Sequence, residues 1–193
     1  MRGTNGGNPL LDVARRIEGA RGLDAVVDRA RPVVSDRLTA WPGVADALHG
    51  RWLGHALHPL LTDFPLGSWI GATLLDLAGG PGGRRSADRL VGLGIVLAVP
   101  TALAGAADWA ANADRRVGRV GTAHAALHAT ALTLYGGSWL LRRRGRRRAG
   151  VAVSLVAGTV ATASGYLGGH MTLRLQAPPE ALSDPSAEVG GAP

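Results

Sequence analysis

The apolar positions of this chain fall into four long segments, separated by short polar or arginine-rich stretches. The segments extend over residues 58–80, 88–111, 120–141 and 149–173. A helix needs roughly 20 apolar residues to cross the hydrocarbon core of a bilayer. Each segment has about that length, so the pattern predicts four membrane-spanning helices.

The first part of the chain has a different pattern, because it is polar and charged. Within it, apolar residues recur at helical spacing over 9–17, behind Asn8, a residue type that caps helices. A second such stretch runs over 23–38, with Pro32 inside it. We expect two short amphipathic helices on the membrane surface or on a partner, with a soluble three-helix cap as the alternative.

The fold class predicted is all-α, a four-transmembrane-helix bundle with short N-terminal amphipathic helices. Three regions are expected: an N-terminal tail with those helices (1–57), a four-span transmembrane domain (58–173) and a C-terminal tail (174–193). The last region is rich in proline, alanine and serine and is predicted to be disordered. Glycines recur along all four spans, which permits close helix packing in a membrane.

The composition agrees with a membrane protein and excludes several kinds of chemistry. Hydrophobic residues make up 46% of the chain and charged residues only 18%. The absence of cysteine excludes disulfides, thiolate nucleophiles and protein-ligated iron–sulfur clusters. The sequence also lacks a glycine-rich phosphate loop, a nucleophile elbow and an HExxH motif, so it does not indicate hydrolase or nucleotide chemistry.

The chain is basic, with a net charge of +7, and all 21 of its basic residues are arginines. These arginines are unevenly distributed along the sequence. Nine arginines fall in or beside the loops after spans one and three, including the run RRRGRRR at 142–148, against five near the membrane on the other side. The positive-inside rule therefore predicts that both termini face away from the cytoplasm. No aromatic residues interleave the run, so it indicates anchoring beside anionic lipid, and nucleic acid is not an expected partner.

Ionisable residues from distant parts of the sequence are predicted to meet at the other end of the bundle. Spans one and three begin there, and spans two and four end there. Ionisable side chains are costly inside a bilayer and tend to face the interior of a bundle. The candidate residues are His55, His58, Asp63, Asp108, His124, His128 and His170.

Three chemistries use a cluster of this kind. A divalent metal would take its ligands from these seven residues, with His124 and His128 on one helical face. Haem b would take axial imidazoles from different helices, chosen among His58, His124 and His170. A row of histidines and aspartates would relay protons. The structural alternative is that these groups hydrogen-bond one another and close the helix ends.

Two smaller expectations concern the spans themselves. Asp76 is expected to pair with an arginine of the following loop, either Arg84, Arg85 or Arg89. Tryptophans are favoured where a membrane meets water. Interfacial positions are therefore expected for Trp52, Trp69, Trp109 and Trp139.

The segment DALHGRWLGHALHPLLTDFPLGSWIGATLLDLAGG, residues 46–80, resembles a bacterial membrane family known as domain-of-unknown-function family 2231. The resemblance extends over residues 45–173. The family's H-P element falls on His58 and its F-P-x-G element begins at Phe64, while its terminal G-G-H element ends at His170. Many members carry a histidine where this chain has Asp63, which argues against a two-histidine haem clamp within the first span.

This resemblance implies a multi-pass protein of a bacterial cell membrane. Some members are fused to a Rieske-type iron–sulfur domain and more distant relatives to a cytochrome c domain, which implies electron transfer. A Rieske-type or cytochrome partner of this chain would be a separate protein. The predicted function is a redox-associated membrane module with a haem or metal site at the non-cytoplasmic face. The alternative is a non-catalytic membrane scaffold or accessory subunit whose polar cluster is structural.

Overall fold

The computed structural model describes residues 8–177, and the regular structure of that part of the chain is entirely helical. Residues 1–7 and 178–193, which include most of the predicted disordered tail, lie outside the described residues. The predicted all-α fold is confirmed. The helices are α1 (Pro9–Glu18), α2 (Asp24–Ala40), α3 (Pro42–His49), α4 (Leu57–Ala78), α5 (Gly80–Ala111), α6 (Arg115–Arg143) and α7 (Arg147–Leu173), with 3₁₀ turns at Arg21–Leu23 and Arg51–Leu53.

The four long helices form two antiparallel hairpins that pack into one bundle. Helix α4 lies along α5, α6 lies along α7, and contacts between α5 and α6 join the two hairpins. The turns α4–α5 and α6–α7 lie at the same end of the bundle. We call it the arginine end, because it holds Arg84, Arg85, Arg89, Arg142, Arg143, Arg144, Arg146, Arg147 and Arg148.

Helices α1 to α3 pack on the opposite end, which we call the cap end. Helix α1 contacts α6, α2 contacts both α5 and α6, and α3 contacts α5. Asn8 caps α1 as expected, since its side chain accepts hydrogen bonds from the backbone N–H groups of Leu10 and Leu11. Helix α2 continues through Pro32 to Ala40. Three helices, rather than the two expected, therefore cover this end of the bundle.

The interior of the bundle contains mostly small side chains, whereas its surface carries large apolar ones. Its buried positions are mostly alanine, glycine, serine and threonine, whereas large aliphatic side chains lie on the surface. Along α4, for example, Ile70, Leu74 and Leu77 are all more than half exposed. A bundle that folds in water buries such residues, whereas helices packed in lipid bring small residues together.

Two of the four bundle helices, α5 and α7, are long and apolar enough to cross a membrane. Helices α4 and α6 fall short of that standard. The reason lies in their polar residues, since Asp63 and Asp76 lower the hydropathy of α4, and His124 and His128 lower that of α6. The residues described thus contain two candidate spans where the sequence pattern predicted four.

Candidate functional site

The seven predicted site residues do not form one cluster. His55 is exposed in the turn before α4, and Asp63 is exposed on the outer face of α4. Five positions along a helix rotate a side chain by roughly 140° from its starting direction. Asp63 therefore cannot share the face of His58, although both lie near the same end. Within residues 8–177, no group of three or more histidine, aspartate or glutamate side chains is arranged to hold a metal ion.

Two of the predicted residues are engaged by the cap helices. Asp108 of α5 lies 3.1 Å from Nδ1 of His49 in α3. His170 of α7 lies 2.8 Å, through its Nε2, from a carboxylate oxygen of Glu18 in α1. Both histidines are buried. Sequence reasoning missed His49 and Glu18 because it treated the N-terminal region as a tail. The one available signal was the helical spacing that ends at Glu18.

Arg119 provides a further link between cap and bundle. Its guanidinium donates two hydrogen bonds to the carboxylate of Asp24, at 2.7 and 2.8 Å, and one to the backbone carbonyl of Glu18. The hydrogen bonds from Arg119 hold the pKa of Asp24 below its ordinary value of 3.8. Most of the polar groups described at the cap end therefore form contacts that hold the cap helices, α1, α2 and α3, on the bundle.

Three histidines remain together where the two hairpins meet, and we call them the inner histidine row: His58, His124 and His128. The ring centres of His58 and His124 are 6.4 Å apart, with their planes perpendicular. Those of His124 and His128 are 5.9 Å apart, and the rings are nearly parallel. The spacing of four residues predicted that His124 and His128 share a face of α6, and they do. All three side chains are half-buried.

His58 and His124 share one hydrogen-bonding arrangement. Nδ1 of His58 lies 2.8 Å from the backbone carbonyl oxygen of Thr101 in α5, and Nδ1 of His124 lies 2.8 Å from that of Ser164 in α7. A carbonyl oxygen only accepts hydrogen bonds, so Nδ1 carries the proton and Nε2 carries the lone pair. Each imidazole is thus fixed by the partner helix of its own hairpin, with Nε2 left as an acceptor or ligand.

Glycines allow these two rings to pack directly on the neighbouring backbone. A Cβ atom at Gly105 would lie 2.7 Å from the ring of His58, and one at Gly168 would lie 3.3 Å from the ring of His124. A larger residue at Gly105 would displace the imidazole. Gly168 belongs to the G-G-H element quoted above, so the sequence carried a signal for it.

The row continues into the centre of the bundle through aromatic side chains. The ring of Trp69 lies 6.3 Å from that of His128 and stacks on Tyr135 at 4.1 Å. Within residues 8–177, Nε2 of His128 and Nε1 of Trp69 are buried without a hydrogen-bond partner. The expectation that Trp69 lies at a membrane interface is wrong, since it is 2% exposed. Gly94 makes this burial possible, because a Cβ atom there would come within 2.3 Å of the indole nitrogen.

A second polar cluster lies at the arginine end, and we call it the four-helix ion cluster. It joins Asp76 of α4, Asp88 of α5, Arg142 of α6 and Arg147 of α7. The side chains of Asp76 and Arg142 are each 1% exposed. The predicted partners of Asp76 are wrong, because the arginines of α5 point outward while α6 and α7 bring theirs to it.

The family described as "Predicted membrane protein (DUF2231)" matches residues 54–178. The match takes in α4 to α7, which hold both the inner histidine row and the four-helix ion cluster, and leaves out α1 to α3. Neither the curated proteins nor the solved structures yield a match. The family expected from the sequence is confirmed, and the chain belongs to the DUF2231 family of predicted membrane proteins.

Proposed function

We propose that this chain is a four-span protein of a bacterial cell membrane that binds haem b through His58 and His124 and takes part in electron transfer. The observation that carries the proposal is the matched arrangement of these two imidazoles. Each has its Nδ1 fixed by a backbone carbonyl of the neighbouring helix and its Nε2 without a hydrogen-bond partner among residues 8–177, and the two ring centres are 6.4 Å apart.

The crossing by four helices follows from the connections between them. Helices α5 and α7 both begin at the arginine end. Helix α6 joins the end of α5 to the start of α7 through a three-residue turn at each of its ends. If α5 and α7 cross a membrane, α6 returns through the same thickness. Helix α4 lies along α5, and its 22 residues span about 33 Å, against about 30 Å for a hydrocarbon core. Apart from Asp63, its outer face is mostly apolar, with Ile70, Leu74 and Leu77 exposed, which agrees with contact with lipid.

The donor set fits haem better than a bare metal ion. A metal ion held by protein alone needs three or more ligands, which no group of side chains in residues 8–177 supplies. Haem brings four nitrogen ligands of its own, so two imidazoles complete its coordination. His170, the substitute ligand expected from the sequence, already uses its Nε2 for Glu18. When bound, haem would supply reversible one-electron transfer.

The position of the histidines suggests where electrons would be exchanged. By the positive-inside rule the arginine end faces the cytoplasm, which places His58 near the non-cytoplasmic face. A separate Rieske-type or cytochrome protein on that face is the proposed electron partner. The cap helices cover part of the same end, so such a partner would dock beside or on α1 to α3.

A second function, that of a non-catalytic scaffold or accessory subunit, is favoured by a different observation. Most charged side chains inside the bundle already have partners that hold helices together, as in the four-helix ion cluster and the pairs His49–Asp108 and His170–Glu18. In this alternative His58 and His124 serve the same purpose, through Thr101 and Ser164.

Absorption spectroscopy of protein purified in mild detergent separates the two functions. Haem b gives a Soret band that shifts on reduction. We expect that band in the wild-type protein and its loss in His58→Ala and in His124→Ala. His128→Ala and His49→Gln are the controls, since neither residue belongs to the proposed pair, and both should retain the band. Membrane content and melting temperature, measured on the same samples, report whether each variant is folded.

A wild-type protein without haem, with alanine variants that are only less thermostable, decides for the scaffold. In that case each variant would strand a hydrogen-bonded carbonyl, at a cost of about 1–3 kcal/mol. Elemental analysis of the same preparation tests for a bound metal other than haem iron.

A further inference from the structure

The net charge of the protein is concentrated at the arginine end of the bundle. This end holds nine arginines and only two aspartates, Asp76 and Asp88, which gives it a formal charge of +7. The rest of the chain holds twelve arginines and twelve acidic residues, so its formal charge is zero. The whole positive excess of the molecule therefore lies in one small region.

An open cleft of about 540 Å³ lies in this region, between the beginning of α5 and the α6–α7 turn. The residues that line it are Arg84, Gly145, Arg146, Arg147, Arg148 and Ala149. Four of the six are arginines, and none is acidic or aromatic. The cleft is thus an open concave surface lined mainly by arginines.

Three of these guanidinium groups have no acidic partner in the described part of the chain. Arg147 is neutralised by Asp76 and Asp88, and it also donates a hydrogen bond to the backbone carbonyl of Arg84, which ties α7 to the first turns of α5. By contrast, Arg84, Arg146 and Arg148 form no ion pair with any side chain among residues 8–177. Guanidinium groups in this arrangement suit the oxygens of a phosphate, which they bind bidentately.

If α5 and α7 cross a membrane as proposed, the cleft lies at the depth of the lipid headgroups. Both candidate spans, α5 and α7, begin beside it with their charged residues and continue as apolar helices. Trp139, with the guanidinium of Arg143 5.0 Å from its ring centre, lies at the same end, as tryptophans at membrane interfaces do. Leu77 and Leu140 are exposed near this end and would contact acyl chains.

We propose that this cleft binds the phosphate group of an anionic phospholipid, through Arg84, Arg146 and Arg148. Basic pockets between membrane helices on the cytoplasmic side are suited to such headgroups. Nucleic acid is disfavoured because the lining offers no aromatic ring on which a base could stack. The inference depends on the proposed crossing of the membrane but not on the haem, so loss of one does not entail loss of the other.

Native mass spectrometry of the full chain in detergent tests the site. The probes are phosphatidylglycerol, phosphatidylcholine and inorganic phosphate, added separately. The wild-type protein should retain phosphatidylglycerol in preference to phosphatidylcholine. The double variant Arg146→Gln/Arg148→Gln should weaken that retention roughly fivefold for each arginine removed. Both residues lack ion pairs, so the melting temperature should stay unchanged.

The matched control is Arg15→Gln/Arg16→Gln, which removes the same charge from exposed positions on α1 at the cap end. It should retain phosphatidylglycerol like the wild-type protein. Equal losses in both double variants would show a general effect of charge and overturn the proposal, as would no loss in Arg146→Gln/Arg148→Gln. If inorganic phosphate displaces the lipid at equal concentration, the site is one for free phosphate. A single-stranded oligonucleotide serves as a fourth probe, and its tighter binding than that of phosphatidylglycerol would also contradict the lipid proposal.

Discussion

Replacement of Arg142 by methionine should destabilise the bundle more than the same replacement of any other arginine at the arginine end. The guanidinium of Arg142 has five N–H groups, and the structure gives it five hydrogen bonds. Two go to Asp76, one to Asp88 at 3.0 Å, and one each to Ser138 and Ser154 at 3.1 Å. Arg142→Met removes all five and leaves Asp76 buried.

The magnitude follows from the burial of the pair. Removing one partner of a buried ion pair costs about 3–5 kcal/mol, because the other charge remains out of water. Asp76 keeps Arg147 as a partner, so we expect the lower part of that range, about 3 kcal/mol. The double variant Asp76→Leu/Arg142→Met removes both charges and should cost less than the sum of the two single variants.

Unfolding by a denaturing detergent, followed by circular dichroism in mixed micelles, measures these free energies. The control is Arg143→Met, the next residue along α6, which is exposed and has its guanidinium over the ring of Trp139. Its loss should cost less than about 1 kcal/mol. A cost for Arg142→Met no larger than that of Arg143→Met would refute the reasoning, and so would strict additivity in the double variant.

Three further predictions concern packing, pH and topology. Gly94→Ala should cost about 1–3 kcal/mol in the same assay, because the new methyl group meets a buried indole, whereas Gly67→Ala has open space and should not destabilise. Arg119 lowers the pKa of Asp24 below 3.8, so this ion pair should stabilise the cap fully above about pH 5 and lose that effect as the pH falls through the lowered pKa. Asp24→Asn should remove this loss of stability in acid, as measured by tryptophan fluorescence. In intact cells, a cysteine introduced at Gly145 should be protected from an impermeant thiol reagent, whereas one introduced at Arg116 should be labelled. The reverse pattern would show the opposite orientation.

Sequence reasoning located the histidines along the bundle but not their partners. The sequence gives the positions of His124 and His128 along one predicted helix, and a spacing of four gives their common face, so both properties could be predicted. The pairing of His49 with Asp108 could not, because it joins residues 59 positions apart through the docking of α3. Nothing in the periodicity of residues 9–38 specifies which surface the cap helices contact.

The same limit explains the two misplaced residues of α4. Trp69 lies midway along the predicted span 58–80, and a tryptophan alone does not show whether it faces lipid or the interior. The close approach of Gly94 from α5 provides the space that buries it. Asp63 lies near the expected end of the bundle, but its direction depends on which face of α4 packs against α5. The position of a residue along its helix follows from the sequence alone, whereas the direction of its side chain depends on contacts between helices that are distant in sequence.

The distribution of charges in the four-helix ion cluster has a consequence for assembly. Both acids of the cluster belong to the α4–α5 hairpin, and both arginines belong to the α6–α7 hairpin. Two copies of the same hairpin would therefore oppose like charges at this point, whereas the two different hairpins neutralise each other. Charge complementarity in this cluster therefore favours the packing of each hairpin against the other over its packing against a second copy of itself.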